Sequence, residues 1–544
     1  MRLINVRTGK LEEHGVPPPY AILSHTWRKS EISFQDMTGC ADVQSKPEYD
    51  KIRDSSRETL RHKLDFIWID SCCIDKSSSA ELSEAINSMF RWYKDAVLCF
   101  AYLEDLPIGR AAASKDELER CRWFTRGWTL QELIAPKEVR FYDRGWNYRG
   151  SKKSLQDAIS RVTAIDKDVM LGRSRLGSIP VAERMSWASR RQTTRQEDMA
   201  YCLLGIFGVN MALIYGEGTK AFTRLQEEII KRTNDISILA WDSRGRSSGP
   251  YCGVLAESPT EFAKVPRHLS AISGFSMTEF AVTNSGLRMT AELWVPSNPT
   301  SFDHGHDGYY LCLSHALFSP SVGIHLKKVG RSHFVRISDK PLTASYLKSK
   351  HIDWVESMRL QTIYIAISYS PEGDLGTLAE WPPLYFPTHP VFTISGVAPR
   401  AGWDALSRLF YTGGAGVSSF FGVVRIDVSD IGDGGKEPVK LGVIVHDMGD
   451  SQCSIVKWEG AAQQKMELAF EKDSDVILPE ASIRALYALP LKSSVDFHIK
   501  SEHFRISVST QREVVKEISP SPVNSVHIRR LKRSTDGEGW VSLD

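Results

Sequence analysis

The segment "CRWFTRGWTLQELIAP", residues 121–136, holds a single acid, Glu132, among tryptophans and aliphatics, and Pro136 closes it. Any helix here is short, because proline cannot continue one. Trp128 and Glu132 are four residues apart and so share a helical face. An indole there can stack on a flat ring and exclude water. A drier site strengthens a carboxylate's attraction for a developing cation. Glu132 is therefore the candidate catalytic residue and Trp128 a candidate substrate contact. Two structural alternatives stand beside this: a surface acid paired with Arg126 or Lys137, or a capping box with Thr129. The second would start a helix that meets Pro136 almost at once.

Four more candidates follow strands. "YAIL" (20–23) runs into "SHTW", which places Ser24, His25 and Trp27 just past a strand, and Asp70 ends "LDFIWID" (64–70). Ligands of open parallel sheets bind beyond the carboxyl ends of the strands, so all four are expected to border one cleft. His25 can equally be a satisfied structural histidine, and Asp70 can cap the next turn. Cys72 with His25 suggests a thiol hydrolase, but no oxyanion loop or third partner can be named. Arg190, Arg191 and Arg195 can meet a pyrophosphate at a helix start, though a solvated basic turn is the simpler reading. Trp123, Trp146 and Trp187 read as core or interface residues. "GEGTKAF" has the look of a phosphate-binding glycine turn but follows no clear strand.

The positioning elements alternate in type. After "LDFIWID", Ser78 and Glu81 have capping-box spacing, and Leu82, Ile86, Met89 and Tyr93 form one helical stripe. "VLCFAYL" (97–103) and "EVRFYD" (138–143) read as strands, and "KSLQDAISRV" (153–162) as a helix. Such alternation predicts a parallel sheet wrapped by helices. Residues 180–240 read as helical, with a capping box at Thr194 and Glu197, a C-cap at Gly208, and an apolar face of Phe222, Leu225 and Ile229. After the turn-rich "SRGRSSGP" (243–250) the period becomes two, as in "LRMTAELWV", "TIYIAIS", "VVRIDV", "VDFHI" and "FRISV". "HIRRLKR" (527–533) reads as a solvated basic stretch, with a nuclear signal as the alternative.

Composition limits the function classes. The 544 residues carry a net charge of +2, so no global field points to nucleic acid. The nine cysteines lack metal-ligand spacing, and "MRLINVRTGK" lacks the apolar core of a signal peptide. No apolar run is long enough to span a bilayer. The expectation is a cytoplasmic protein without a metal and without a membrane span. The expected domains are 1–240, an α/β core of about 18–165 with a helical extension at 180–240, then a linker at 241–262. A β-rich, sandwich-like domain of unassigned role follows at 263–544.

"YAILSHTW", "FIWIDSCCIDKSSSAELSEAINSMFRWYKDA", "RWFTRGWTLQELIAP", "MSWASRRQTTRQEDMAYCLLGIF" and "YGEGTKAFTRLQEEIIK", in this order, closely resemble the HET (heterokaryon incompatibility) domain of filamentous fungi. The resemblance covers residues 1–240 and implies a role in self/non-self recognition that ends in cell death. HET domains in turn look like remote relatives of TIR domains, which are flavodoxin-like sheets, some of which cleave NAD. "GWTLQEL" is similar to the helix that bears their catalytic glutamate, with Thr129 where cysteine is usual. The likeness implies Glu132 as the catalytic carboxylate and Ser24, His25, Trp27, Asp70 and Trp128 as substrate contacts. It also implies NAD, or a related nucleotide, as substrate rather than cofactor, and activity that depends on self-association. His25 and Trp27 depart from the usual TIR residues at their positions. An unknown protein partner or allelic trigger would activate the domain. The competing expectation is a non-enzymatic module that signals by self-association.

Overall fold

Two of the apolar runs read as strands become the fully buried centre of one sheet in the computed structural model. The structure describes residues 1–39, 42–244 and 249–265. Beyond these it describes 279–296, 308–313, 322–338, 340, 342, 354–356, 361–369, 383–412, 420–429, 438–447, 451–471, 478, 480–499, 502–513, 523–534 and 540–542. The chain divides into two compact units. The first comprises residues 1–244, 255–277 and 313–322, and the second 245–254, 278–312 and 323–544.

The first unit contains β1 (Arg2–Asn5), β2 (Lys10–Glu13), β3 (Ala21–His25), β4 (Phe66–Trp68), β5 (Leu98–Tyr102), β6 (Val139–Tyr142) and β7 (Tyr148–Ser151), in the order β2-β1-β4-β3-β5-β6-β7. β3 pairs in parallel with β4 and β5, and β5 with β6. Numbered along the chain, the four parallel strands lie in the order 2-1-3-4, the arrangement of flavodoxin-like sheets. The expected purely parallel sheet is thus a parallel core with antiparallel flanks. The β1–β2 hairpin is too short and polar to register as a strand pattern in the sequence. β7 turns back because the buried Asp143 carboxylate accepts the backbone N–H groups of Gly145 at 2.9 Å and Asn147 at 3.0 Å, closing a tight reversal.

The helices of this unit are α1 (Phe34–Gly39), α2 (Asp50–Arg61), α3 (Ser79–Asp95), α4 (Lys115–Glu119), α5 (Thr129–Ile134), α6 (Gln156–Thr163), α7 (Lys167–Met170), α8 (Val181–Ser186), α9 (Asp198–Tyr201), α10 (Leu204–Phe207) and α11 (Lys220–Ile230). Ser78 caps α3 by accepting the Glu81 N–H. The Glu81 carboxylate does not complete the box; it takes the Asp75 N–H at 2.8 Å and pairs with Arg2. Ile86, Met89 and Tyr93 are buried as the stripe predicts. The Thr194–Glu197 capping box is absent. Glu197 is itself the N-cap of α9, and its side chain accepts the N–H groups of Gly216 at 2.8 Å and Gly218 at 3.1 Å. The glycine turn that resembled a phosphate cradle is therefore filled by a carboxylate of this chain. Gly208 does end α10, at φ +66°.

The second unit is β-rich. The period-two segment "LRMTAELWV" forms two strands, Gly286–Ala291 and Leu293–Pro296, and the first pairs with Gln361–Ile365 of the "TIYIAIS" run. Phe420–Val428, Val439–Asp447 and Ser451–Lys457 form an antiparallel meander, with Phe392–Ala398 on its outer edge. Val424, Ile426, Val443 and Val445 of this sheet share a core with Leu384, Phe410, Ile506, Val508 and Val526 of another, which gives the expected sandwich-like packing. Two helices that the sequence reading lacks, Gly460–Glu471 and Glu480–Tyr487, contribute to a second core with Val423, Ile444 and Val456. "HIRRLKR" lies within the strand Val523–Arg533, paired with Glu502–Glu513, and its side chains are half-buried to exposed. The turn-rich stretch 243–250 falls partly outside the described residues.

Candidate functional site

β3 carries Ser24 and His25 at its carboxyl end, between β4 and β5. This is where the order 2-1-3-4 changes direction, the usual ligand position in such sheets. Successive residues of a strand point to opposite faces. Ser24 and His25 accordingly lead to two different clusters rather than to one cleft wall.

On the Ser24 side, the Ser24 hydroxyl donates to the Glu132 carboxyl and accepts the Trp123 indole N–H at 2.7 Å. Glu132 is 6% exposed, on α5, whose residues are all buried. Burial pushes its carboxyl up to about 8. The Ser24 hydrogen bond opposes that, the charge of Asp70 adds to it, and Tyr93 and Arg126 oppose it. At neutral pH this glutamate is a buried neutral acid, neither a surface ion-pair partner nor a cap. Thr129 is not an N-cap either: its hydroxyl donates back to the carbonyls of Trp123 and Arg126.

On the His25 side, Lys51 Nζ lies 3.2 Å from His25 Nδ1 and donates to the Thr26 carbonyl at 3.1 Å, while pairing with Glu31. An ammonium only donates, so Nδ1 accepts and Nε2 carries the proton, which it gives to Asp70 Oδ1 at 3.0 Å. The Trp27 indole donates to Asp70 Oδ2 at 2.9 Å. Burial pushes the Asp70 carboxyl up, but these hydrogen bonds and the neighbouring positive charge outweigh it and hold Asp70 below the usual carboxylate range. Trp27 itself is 41% exposed.

Trp128 stands apart from both clusters. It is half-buried and lies near Asp198, which accepts the Tyr215 hydroxyl at 3.1 Å. Of the six predicted site residues, the structure thus joins Ser24 to Glu132, and His25 and Trp27 to Asp70. Trp128, at the N-cap of α5, joins neither pair.

The sequence reading missed the residues that hold Glu132 in place. Arg191, offered as a solvated basic turn or a pyrophosphate contact, is buried. Its guanidinium donates to the Trp187 carbonyl at 3.3 Å, the Arg126 carbonyl at 2.8 Å and Thr129 Oγ1 at 2.9 Å. Burial lowers it to about 10. Gln192 exchanges backbone hydrogen bonds with Thr125 and Gly127 at 2.7 and 2.9 Å. Lys51 gave no signal, since a single lysine on a polar helix reads as solvated. Trp123 and Tyr93 gave only a core signal. Cys72 is no nucleophile: the adjacent Cys73 thiol and burial push its thiol well above the ordinary range. Among the described residues, no group of three His, Cys, Asp or Glu side chains is placed to hold a metal ion.

A family profile described as "Heterokaryon incompatibility protein (HET)" matches residues 20–107, the stretch that carries Ser24, His25, Trp27 and Asp70. Over 311 residues the chain is 48% identical to "Vegetative incompatibility protein HET-E-1" of Podospora anserina. Residues 20–107 carry the HET domain. That alignment takes in 56% of this chain and 21% of the relative, so the chain spans about a fifth of the length of the curated protein it matches. A second profile, described only as a domain of unknown function, matches residues 220–271, from the start of α11 onward. No solved structure matches the chain. Glu132 lies between the two matched segments. Among the described residues, no helix is long and apolar enough to cross a membrane.

Proposed function

We propose that this HET-domain protein acts in self/non-self recognition and releases nicotinamide from NAD at the end of β3, with Glu132 as the catalytic carboxylate. The domain is read as TIR-like. Its setting is cytoplasmic, its activity depends on self-association, and an unidentified protein or allelic partner triggers it. One observation carries this reading. A lone acid, held by Ser24, lies beneath the strand-end position where the sheet order changes direction.

The chemistry needs one acid only. Breaking the C–N glycosidic bond sends its electron pair to the cationic nicotinamide nitrogen, so the leaving group departs neutral without protonation. Positive charge develops on the ribose, as in other glycosyl transfers, and water attacks C1′ and releases a proton. The balance is NAD⁺ plus water to ADP-ribose, nicotinamide and a proton. Glu132 must be ionised to stabilise the ribosyl cation, whereas burial favours its neutral form in the absence of ligand. A cationic nicotinamide ring nearby draws the proton off, because an opposite charge lowers a carboxyl's pKa. Activity is then expected to rise with pH towards 8. The test is nicotinamide release by the full-length protein over a range of protein concentrations. Specific activity that increases with concentration supports the assembly-dependent enzyme, and no release at any concentration refutes it.

The second reading is a non-enzymatic module that signals by self-association. It is favoured by the burial of Glu132, which leaves its carboxyl sealed against Ser24. Under it, Glu132→Ala leaves cell killing intact, and surface substitutions that block assembly abolish it.

A further inference from the structure

We propose that Trp27, Lys76 and Arg122 form a clamp for a nucleoside diphosphate, with an aromatic ring on Trp27 and the two phosphates on the cations. The inference rests on the nucleotide reading above and specifies its substrate class. Trp27 is a large aromatic exposed at the carboxyl edge of the parallel strands, yet it is fixed: its indole N–H is held by Asp70 at 2.9 Å. Asp70 is in turn fixed by His25, and His25 by Lys51. A hydrogen-bonded chain that fixes an exposed indole through the Asp70 carboxylate preorganises a stacking platform, and base–aromatic stacking tolerates any flat ring.

The charges beside it are of the right sign. Lys76 Nζ sits 3.6 Å from the centre of the Trp27 ring. The Arg122 guanidinium reaches the Trp27 carbonyl at 3.5 Å. Neither cation has a carboxylate within ion-pair distance among the described residues. By contrast, the nearby Arg28 is paired with Asp50 and Glu104. An ammonium against a fixed aromatic ring, with a guanidinium at the same residue's carbonyl, suits a flat base joined to a dianion. Arg122 also precedes Trp123, whose indole hydrogen-bonds Ser24, so the clamp connects to the candidate catalytic carboxyl through Trp123 and Ser24. On binding, Lys76 exchanges the indole for phosphate, a stronger partner for an ammonium.

The test is calorimetric binding of ADP-ribose, AMP and adenosine to the full-length protein, with Trp27→Ala, Lys76→Glu, Lys76→Arg and Arg122→Glu variants checked for unchanged melting. Lys76→Glu and Arg122→Glu should each weaken ADP-ribose roughly tenfold or more and leave adenosine little changed, while Lys76→Arg retains binding. Trp27→Ala should weaken all three ligands roughly tenfold. ADP-ribose binding indifferent to Lys76, Arg122 and Trp27, or no binding by the wild type, overturns the clamp. The clamp and the cleavage reading fail separately. Lys76-dependent ADP-ribose binding without nicotinamide release leaves the clamp and removes the enzyme. Nicotinamide release unaffected by Trp27→Ala and Lys76→Glu does the reverse.

Discussion

Ser24 and Glu132 lie 108 residues apart in the chain and meet in one hydrogen bond, at the end of β3. The Ser24 hydroxyl stands between two buried groups: it accepts a hydrogen bond from the Trp123 indole N–H and donates one to the Glu132 carboxyl. This contact fixes the one acid of an otherwise apolar turn at the position where a flavodoxin-like sheet order receives ligands.

Buried and neutral, Glu132 should make stability depend on pH. Its folded value, about 8, lies above the ordinary glutamate value of 4.5. Between these values the folded protein keeps a proton that the unfolded chain has lost. The stabilisation is complete below about pH 4.5 and falls as pH rises through about 8, by up to about 1.4 kcal/mol per pH unit. Glu132→Gln removes that dependence. Melting temperatures of wild type and Glu132→Gln between pH 5 and 8 should diverge in favour of the glutamine form; parallel curves would place the carboxyl in solvent.

Ser24→Ala leaves the Trp123 N–H and the Glu132 carboxyl without this partner. Each buried orphan costs roughly 1–3 kcal/mol. Because the Ser24 hydrogen bond holds Glu132 down, its loss should also move the pH transition in stability to the alkaline side. Denaturant titrations at several pH values read both effects.

Arg191→Met should loosen α5. Three acceptors lose the Arg191 donor, among them the Arg126 carbonyl and Thr129 Oγ1 on the segment that leads into Glu132. The expected loss is about 3 kcal/mol. Hydrogen exchange should accelerate over residues 122–135 before the rest of the domain, while exchange unchanged there would show that Arg191 does not brace this segment.

The parallel core was legible because β3, β4 and β5 are short apolar runs bounded by polar turns, and the α3 stripe was legible because it repeats at helical spacing. The antiparallel flanks were not, since β1 and β2 show no alternation and β7 depends on one buried aspartate that organises a turn. Glu132 stood out because an acid on an apolar turn is costly unless it has a purpose or a partner. Its partner Ser24 was flagged for its strand end and not for this contact. The burial of Arg191 and Lys51 could not be read, because long cationic side chains look alike in sequence whether solvated or braced against carbonyls.

"CLLGIF" illustrates a close approach invisible to periodicity. A Cβ at Gly205 would stand 2.0 Å from Phe90 Cβ, so α10 can lie against α3 only with glycine there. Gly205→Ala should cost about 3 kcal/mol or more, since neither backbone can yield without moving its helix. Equilibrium unfolding of the variant checks this; a loss under about 0.5 kcal/mol would mean that the two helices separate easily.

The most direct test is nicotinamide release from NAD by the full-length protein, wild type against Glu132→Gln, with both shown to be folded. The glutamine keeps the shape of the buried side chain and removes its ionisation. The account predicts release by the wild type and a loss of roughly 10²–10³-fold in the variant. Equal release by the two proteins would contradict it.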